Sequence, residues 1–311
     1  MFDLLINSEV IVDDIAVAER VFVDALGFPE QRDTWKGTIS AAGFSFLFAR
    51  VHPSLSVSPT RVEAMAVAPI DAGVEPFLPQ LLAAQGDRPW KTHGNELASS
   101  NIQALIQRLE GNGCRFHTMP GAEGYPFLRV WLGWTADDPG AYRPDVDGGL
   151  MFEICETDSL LQGPKFWANQ PDPALSPGSM IRVLRRSWIV DDLHVSLAAI
   201  ERNLGWQPRT GPEPDPISGC QRAVFGFTHP RSADLELLEP TQGHEARDSL
   251  DTWGPGAWTI RIAVNDLSAK ADDLRHRGTQ FDAFESPDDG TVLRVDTGPL
   301  GCPGLFEFAA I

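Results

Sequence analysis

Cysteine is scarce in this 311-residue chain, and the four present, Cys114, Cys155, Cys220 and Cys302, form no C-x-x-C pair. That argues against a zinc knuckle or a disulfide framework and for buried free thiols. Basic residues are also few: 25 Lys and Arg stand against 43 Asp and Glu, a formal net charge of −18. Such a balance disfavours non-specific binding to nucleic acid or to anionic lipid. No apolar run approaches the length of a membrane span, and Met1-Phe2-Asp3-Leu4-Leu5 carries no basic segment followed by a long apolar one, so the expected location is the cytoplasm. What remains is an ordinary globular composition, 42% hydrophobic, in a length that suits about two domains.

The most informative positive feature is an internal repeat. Val12-Asp13-Asp14-Ile15 leads through an amphipathic stretch to Ala25-Leu26-Gly27-Phe28, and Val190-Asp191-Asp192-Leu193 leads likewise to Asn203-Leu204-Gly205-Trp206. The intervals from Asp14 to Gly27 and from Asp192 to Gly205 are identical. An aspartate can cap the free N–H groups of a helix's first turn, and a glycine can take the left-handed conformation that ends it. A second pair, Asn101 to Gly113 and Asp266 to Gly278, repeats the logic, and each continues to an apolar strand with one glutamate, Glu153 or Glu307. These patterns predict four βαβββ units near residues 3–60, 90–157, 181–240 and 256–311. A helix around 74–85 connects the first two, and the proline-rich stretch 162–178 reads as a linker.

With these motifs the chain resembles the vicinal oxygen chelate superfamily, which includes glyoxalase I, bleomycin-resistance proteins, methylmalonyl-CoA epimerase and extradiol dioxygenases. Its layout is similar to that of the two-domain extradiol dioxygenases. The resemblance implies an α+β fold in which four βαβββ units pair into two cup-shaped domains, here 1–157 and 181–311 with a linker at 158–180. It also implies a divalent metal in a cup, held by histidines seven residues before the capping residues and by a closing glutamate. Those histidine positions fall on Asn7, Gly94, Arg185 and Thr259, none of which supplies an imidazole, while Glu153 and Glu307 persist. The cofactor is therefore left open, with no residue assigned as a metal ligand. His93 lies one residue before Gly94, and on a regular strand that slip turns it to the opposite face, as a surface or loop histidine.

Strand alternation extends the reading to the cup linings. If Asn7 and Gly94 point inward, so do Glu9 and Glu96, and with Glu153 they place three carboxylates in the N-terminal cup with no matching cations on its inward positions; the alternative is that one or two of them pair with Arg20, Arg129 or solvent. Such a cluster raises at least one pKa and suits proton transfer. Trp131 and Trp134 border this cup and suit a flat aromatic ligand. In the C-terminal cup, Arg185 and Arg261 either bind a substrate oxygen or are neutralised by Glu236 and Glu307. The acidic turn 136–149 reads as a solvated loop.

The expected function is an enzyme of this superfamily, an isomerase or lyase in type, acting on a small aromatic or enolisable molecule. Glu9, Glu96 and Glu153 would be its acid–base groups, and Asn7, His93, Trp131, Trp134, Arg185 and Arg261 would contact substrate. Two alternatives stand beside it: a protein that sequesters a small aromatic molecule, and a ring-cleaving dioxygenase with a metal on His93, Glu153 and a further ligand. The expected partner is a small molecule, with neither nucleic acid nor membrane, and a homodimer is admissible.

Overall fold

The computed structural model describes residues 2–32, 34–40, 43–52, 60–69, 77–120, 128–133, 143–157 and 176–311. The repeat is visible in its strand pairings. In the C-terminal half, β10 (Met180–Ile189), α5 (Leu193–Leu204), β11 (Thr210–Pro214), β12 (Gln221–Phe225) and β13 (Asp234–Glu239) make one βαβββ unit. A second unit is made of β14 (Gly256–Val264), α7 (Leu267–His276), β15 (Asp282–Ser286), β16 (Gly290–Asp296) and β17 (Leu305–Ala310). Their eight strands form a single sheet in the order β11-β12-β13-β10-β14-β17-β16-β15, symmetric about the β10–β14 junction.

The N-terminal half repeats the plan with its centre parted. Its first unit is β2 (Asn7–Ile11), α1 (Ile15–Arg20, continued as a π turn over Val21–Ala25), β3 (Lys36–Ile39), β4 (Phe44–Ala49) and β5 (Arg61–Val67). The second is β6 (Asn95–Ser99), α3 (Ile102–Gly111), β7 (Phe116–Met119), β8 (Arg129–Leu132) and β9 (Phe152–Glu156). Here β1 (Leu4–Leu5) pairs with β6 while β2 pairs with β5, giving sheets β1-β6-β9-β8-β7 and β2-β5-β4-β3. The chain changes partners at Ile6, whose N–H still reaches the Glu96 carbonyl at 2.7 Å and whose carbonyl accepts from the Arg61 N–H at 2.8 Å.

The helix starts follow the capping logic. Asp14, Asp192 and Asp266 are N-caps whose carboxylates accept from the N–H groups of Ala16, Val195 and Ala269 at 2.8–2.9 Å. Asn101 holds the same position without a side-chain bond. Gly205 ends α5 in the left-handed conformation, at φ 65°.

Register explains how the cups acquire their charge. In every unit the closing strand carries a glutamate opposite an inward residue of the opening strand: Glu63 opposite Glu9, Glu153 opposite Glu96, Glu236 opposite Ser187 and Glu307 opposite Arg261. The connecting helix in each half, α2 (Phe77–Ala84) and α6 (Glu245–Trp253), packs on strands of its own half. Leu81 and Leu82 pack with Met65, Ile11 and Phe44, while Ala246 and Leu250 pack with Ile189 and Trp258.

One apolar core runs through both halves. Phe22 meets Phe306 edge-on, and Phe2 meets Trp206. Lys270 donates to the Leu26 carbonyl at 2.6 Å, and Arg108 donates to the Glu201 and Arg202 carbonyls at 3.0 and 3.1 Å. Most of the expected linker, 158–175, lies outside the described residues, as do 136–142 of the expected acidic loop. The rest of that loop is not solvated throughout. Pro144–Asp147 forms a short helix, α4, and Asp147 is buried, accepting from the Gly149 and Met151 N–H groups at 2.7 and 3.0 Å. No helix among the described residues is long and apolar enough to cross a membrane.

Candidate active site in the N-terminal cup

Glu9, Glu96 and Glu153 converge, and His93 joins them. The Nδ1 of His93 contacts Glu9, and its Nε2 lies 3.2 Å from Glu153 Oε2. The expectation that a one-residue slip would turn His93 away fails because the segment before β6 is not regular strand. Gly94 sits at φ +146°, open to glycine and strained for other residues, and this break lets His93 and Glu96 face the same cup. A Cβ on Gly94 would collide with the Met151 carbonyl. Gly94→Ala is therefore expected to cost about 2–3 kcal/mol. Chemical denaturation checks this; an unchanged midpoint would remove the constraint.

Glu9 takes the place of a missing strand partner. Where β2 parts from β6, its carboxylate accepts from the hydroxyl of Thr92 and the backbone N–H of His93, and from Gly94 N–H at 3.3 Å. Burial alone would raise its pKa, but His93 and these donors hold it below the ordinary value. Burial likewise opposes the charged form of His93, yet Glu9 and Glu153 hold the imidazole well above its usual pKa. The His93 imidazole thus bridges the carboxylates of Glu9 and Glu153.

The cup also holds an arginine on an inward strand position, where none was expected. Arg61, on β5, donates through Nε to Asn7 Oδ1 at 2.8 Å and stands 3.8 Å from Glu96. Asn7 in turn donates to Glu96. Arg129 lies 3.5 Å from Glu153. Arg61 and Glu63 are the residues that the sequence reading missed. Both alternate with apolar neighbours along Arg61–Val67, the same pattern that singled out Glu153 and Glu307.

Four carboxylates and three cations leave two acids under pressure. Glu63 is buried, its Oε2 finds no hydrogen-bond partner among the described residues, and burial together with Glu96 and Glu9 drives its pKa well upward. Glu96 is pushed up to about 7 by burial and by Glu153, against the pull of Arg61. The carboxylates are withdrawn from solvent: Glu9 and Glu153 are 1% and 3% exposed.

Aromatic rings wall the cup. Phe44, Phe46 and Phe48 face it from β4, Trp35 stands edge-on to Phe46 and Phe48, and the Arg61 guanidinium lies 3.9 Å above the Phe48 ring. From the other side Trp131 tilts over His93, with ring centroids 5.6 Å apart. Trp134 lies outside the described residues.

Glu96, Glu153 and Cys155 can each bring a ligand atom within 4.8 Å of the others. They do not fit the divalent ion that the resemblance implies. An iron site of that kind needs two imidazoles, whereas the one present has both ring nitrogens engaged by carboxylates. Burial and the adjacent glutamates push the Cys155 thiol well up, so it stays protonated, and Arg61 and Arg129 already stand beside Glu96 and Glu153.

The C-terminal cup is an ion-pair network. Arg185 meets Glu236 at 3.2 Å, and Glu307 accepts from Arg261 at 2.8 Å and from Arg294 at 2.7 Å. Burial would raise the Glu307 pKa, but the two arginines hold it low.

No protein-family model matches the sequence, and neither does any curated protein. Solved structures do match over nearly the whole chain. A triple mutant of 4-hydroxymandelate synthase from Streptomyces coelicolor superposes with a TM-score of 0.55 at 14% identity, covering 100% of this chain and 93% of its own. A halotolerant catechol dioxygenase gives 0.60 at 10% identity, covering 100% and 87%. A Mn(II)-bound glyoxalase from Novosphingobium aromaticivorans gives 0.59 at 12% identity, covering 99% and 82%. At these identities the likeness is one of fold.

Proposed function

We propose that this chain, which has the fold of the vicinal oxygen chelate proteins, is an enzyme whose N-terminal cup moves a proton on a small aromatic or enolisable substrate, as an isomerase or lyase does. One observation carries the reading. Within a single cup, Glu9 is held ionised while Glu63 and Glu96 are pushed upward, Glu96 to about 7. Carboxylates whose environments split their pKa values in this way are suited to separate acid and base roles.

In this mechanism ionised Glu96 removes a proton from the carbon beside a substrate carbonyl. Arg61 stabilises the developing enolate oxygen, and protonated Glu63 returns a proton at the second position. Glu9, His93 and Glu153 act as positioning residues: their bridge fixes the segment from which β6 starts. Phe46, Phe48 and Trp131 hold the flat part of the substrate. On this reading residues 1–157 form the reactive domain, and residues 181–311 form a second domain with a different task.

The test is deuterium exchange. Enolisable aromatic ketones and keto acids are incubated with the protein in D2O, and incorporation at the α carbon is followed by NMR. Exchange is expected for at least one substrate, falling by roughly 10²-fold or more in Glu96→Gln. Aromatic binding without exchange would favour the sequestering alternative and contradict the enzyme.

A further inference from the structure

The C-terminal cup carries more positive charge on its sheet than that sheet neutralises. Arg185, Arg222, Arg261 and Arg294 project into it from four strands, β10, β12, β14 and β16. The sheet answers with two buried carboxylates, Glu236 and Glu307, and Glu236 also accepts from Ser187 Oγ at 2.6 Å. Glu213 approaches Arg222 at 3.6 Å and Glu245 contacts Arg294, but both carboxylates are about half exposed, where ion pairs are weak.

The remaining charge is met from outside the sheet. The turn between β15 and β16 inserts two consecutive aspartates. Asp288 accepts from Arg222 at 2.6 and 2.9 Å and from Arg185 at 2.9 Å. Asp289 contacts Arg261 and stands 3.8 Å from Arg185. Arg222 is only 7% exposed, and its buried Nε still lacks a hydrogen-bond partner among the described residues. A rigid sheet with two cations in excess is thus closed by two carboxylates on a short hairpin turn.

We propose that the C-terminal cup is a binding site for a small dicarboxylate, and that Asp288 and Asp289 stand in for its two carboxylates until it arrives. Arg185 and Arg222 take one carboxylate in the forked geometry that guanidinium favours, and Arg261 takes the other. The inference is independent of the proton-transfer reading, because it uses no residue of the N-terminal cup.

Malonate is the probe, titrated against acetate at ionic strength held constant with NaCl. Malonate is expected to raise the melting temperature where acetate does not, and Arg222→Gln is expected to abolish the difference. The double substitution Asp288→Asn, Asp289→Asn removes the internal competitor, so malonate should bind it roughly tenfold more tightly than the parent. Should that variant fail to fold, hydrogen exchange on the parent decides: saturating malonate is expected to accelerate exchange of the amides in the 286–290 turn. Equal responses to malonate and acetate, a malonate response that survives Arg222→Gln, or turn amides indifferent to malonate would each overturn the proposal.

Discussion

Glu307→Gln is expected to lower stability by about 3–5 kcal/mol at pH 7, the usual consequence of removing one member of a buried ion-pair cluster. The carboxylate is 1% exposed and bridges Arg261, which is buried, and Arg294, which is partly buried, so its loss leaves both guanidinium groups short of charge. Glutamine keeps the shape and still accepts a hydrogen bond, so the effect isolates the charge. Its pH dependence has a definite sign. The Glu307 pKa is held below its unfolded value, so its contribution is present above the ordinary carboxylate range and disappears as pH falls through the folded value. Urea denaturation at pH 7 and at successively lower pH, down to about 2, checks both statements. A loss below about 1 kcal/mol at pH 7 would mean that the network is not stabilising.

The same substitution in the other cup is expected to act in the opposite direction. Glu96 is pushed up to about 7, so its charged form is disfavoured in the folded protein. A carboxylate with a raised folded pKa contributes stability below its unfolded pKa, and that contribution is lost as pH rises through the folded one. The window therefore runs from the ordinary carboxylate value to about 7. Glu96→Gln should accordingly raise stability at pH 8, on the order of 2–3 kcal/mol, and have little effect at pH 4. The replacement side chain would keep an oxygen for the amide of Asn7, which now donates to Glu96. Stability curves at the two pH values decide the matter, and a variant less stable than the parent at pH 8 would show that Arg61 and His93 outweigh burial.

Much of this contrast was legible in the sequence, and the reasons are local. Asp14, Asp192 and Asp266 cap helices because a carboxylate at that position has a nearby N–H to accept from, whatever the tertiary context. Alternation placed Asn7 with Glu9 because β2 pairs with β5 in unbroken register. The pairing of Arg185 and Arg261 with Glu236 and Glu307 followed from register within the repeat. What escaped depended on irregular or non-local geometry. His93 enters the cup only because Gly94 breaks the strand, and the pattern of a strand does not announce its own interruption. Arg61 and Glu63 reach the site because β5 lies beside β2, a contact between residues far apart in the chain. Asp288 and Asp289 read as ordinary turn residues, and nothing nearby in the sequence points to the three arginines they meet.

Whether one cup holds a glutamate poised to exchange a proton at neutral pH is tested most directly by an NMR pH titration of the glutamate side-chain carboxyls, labelled with carbon-13. One resonance should titrate near 7 and vanish in Glu96→Gln, and a second, from Glu63, should remain protonated beyond the ordinary carboxylate range. If every glutamate in the folded protein instead ionises within the ordinary carboxylate range, the N-terminal cup is a neutralised core like its partner, and the proposed chemistry has no base.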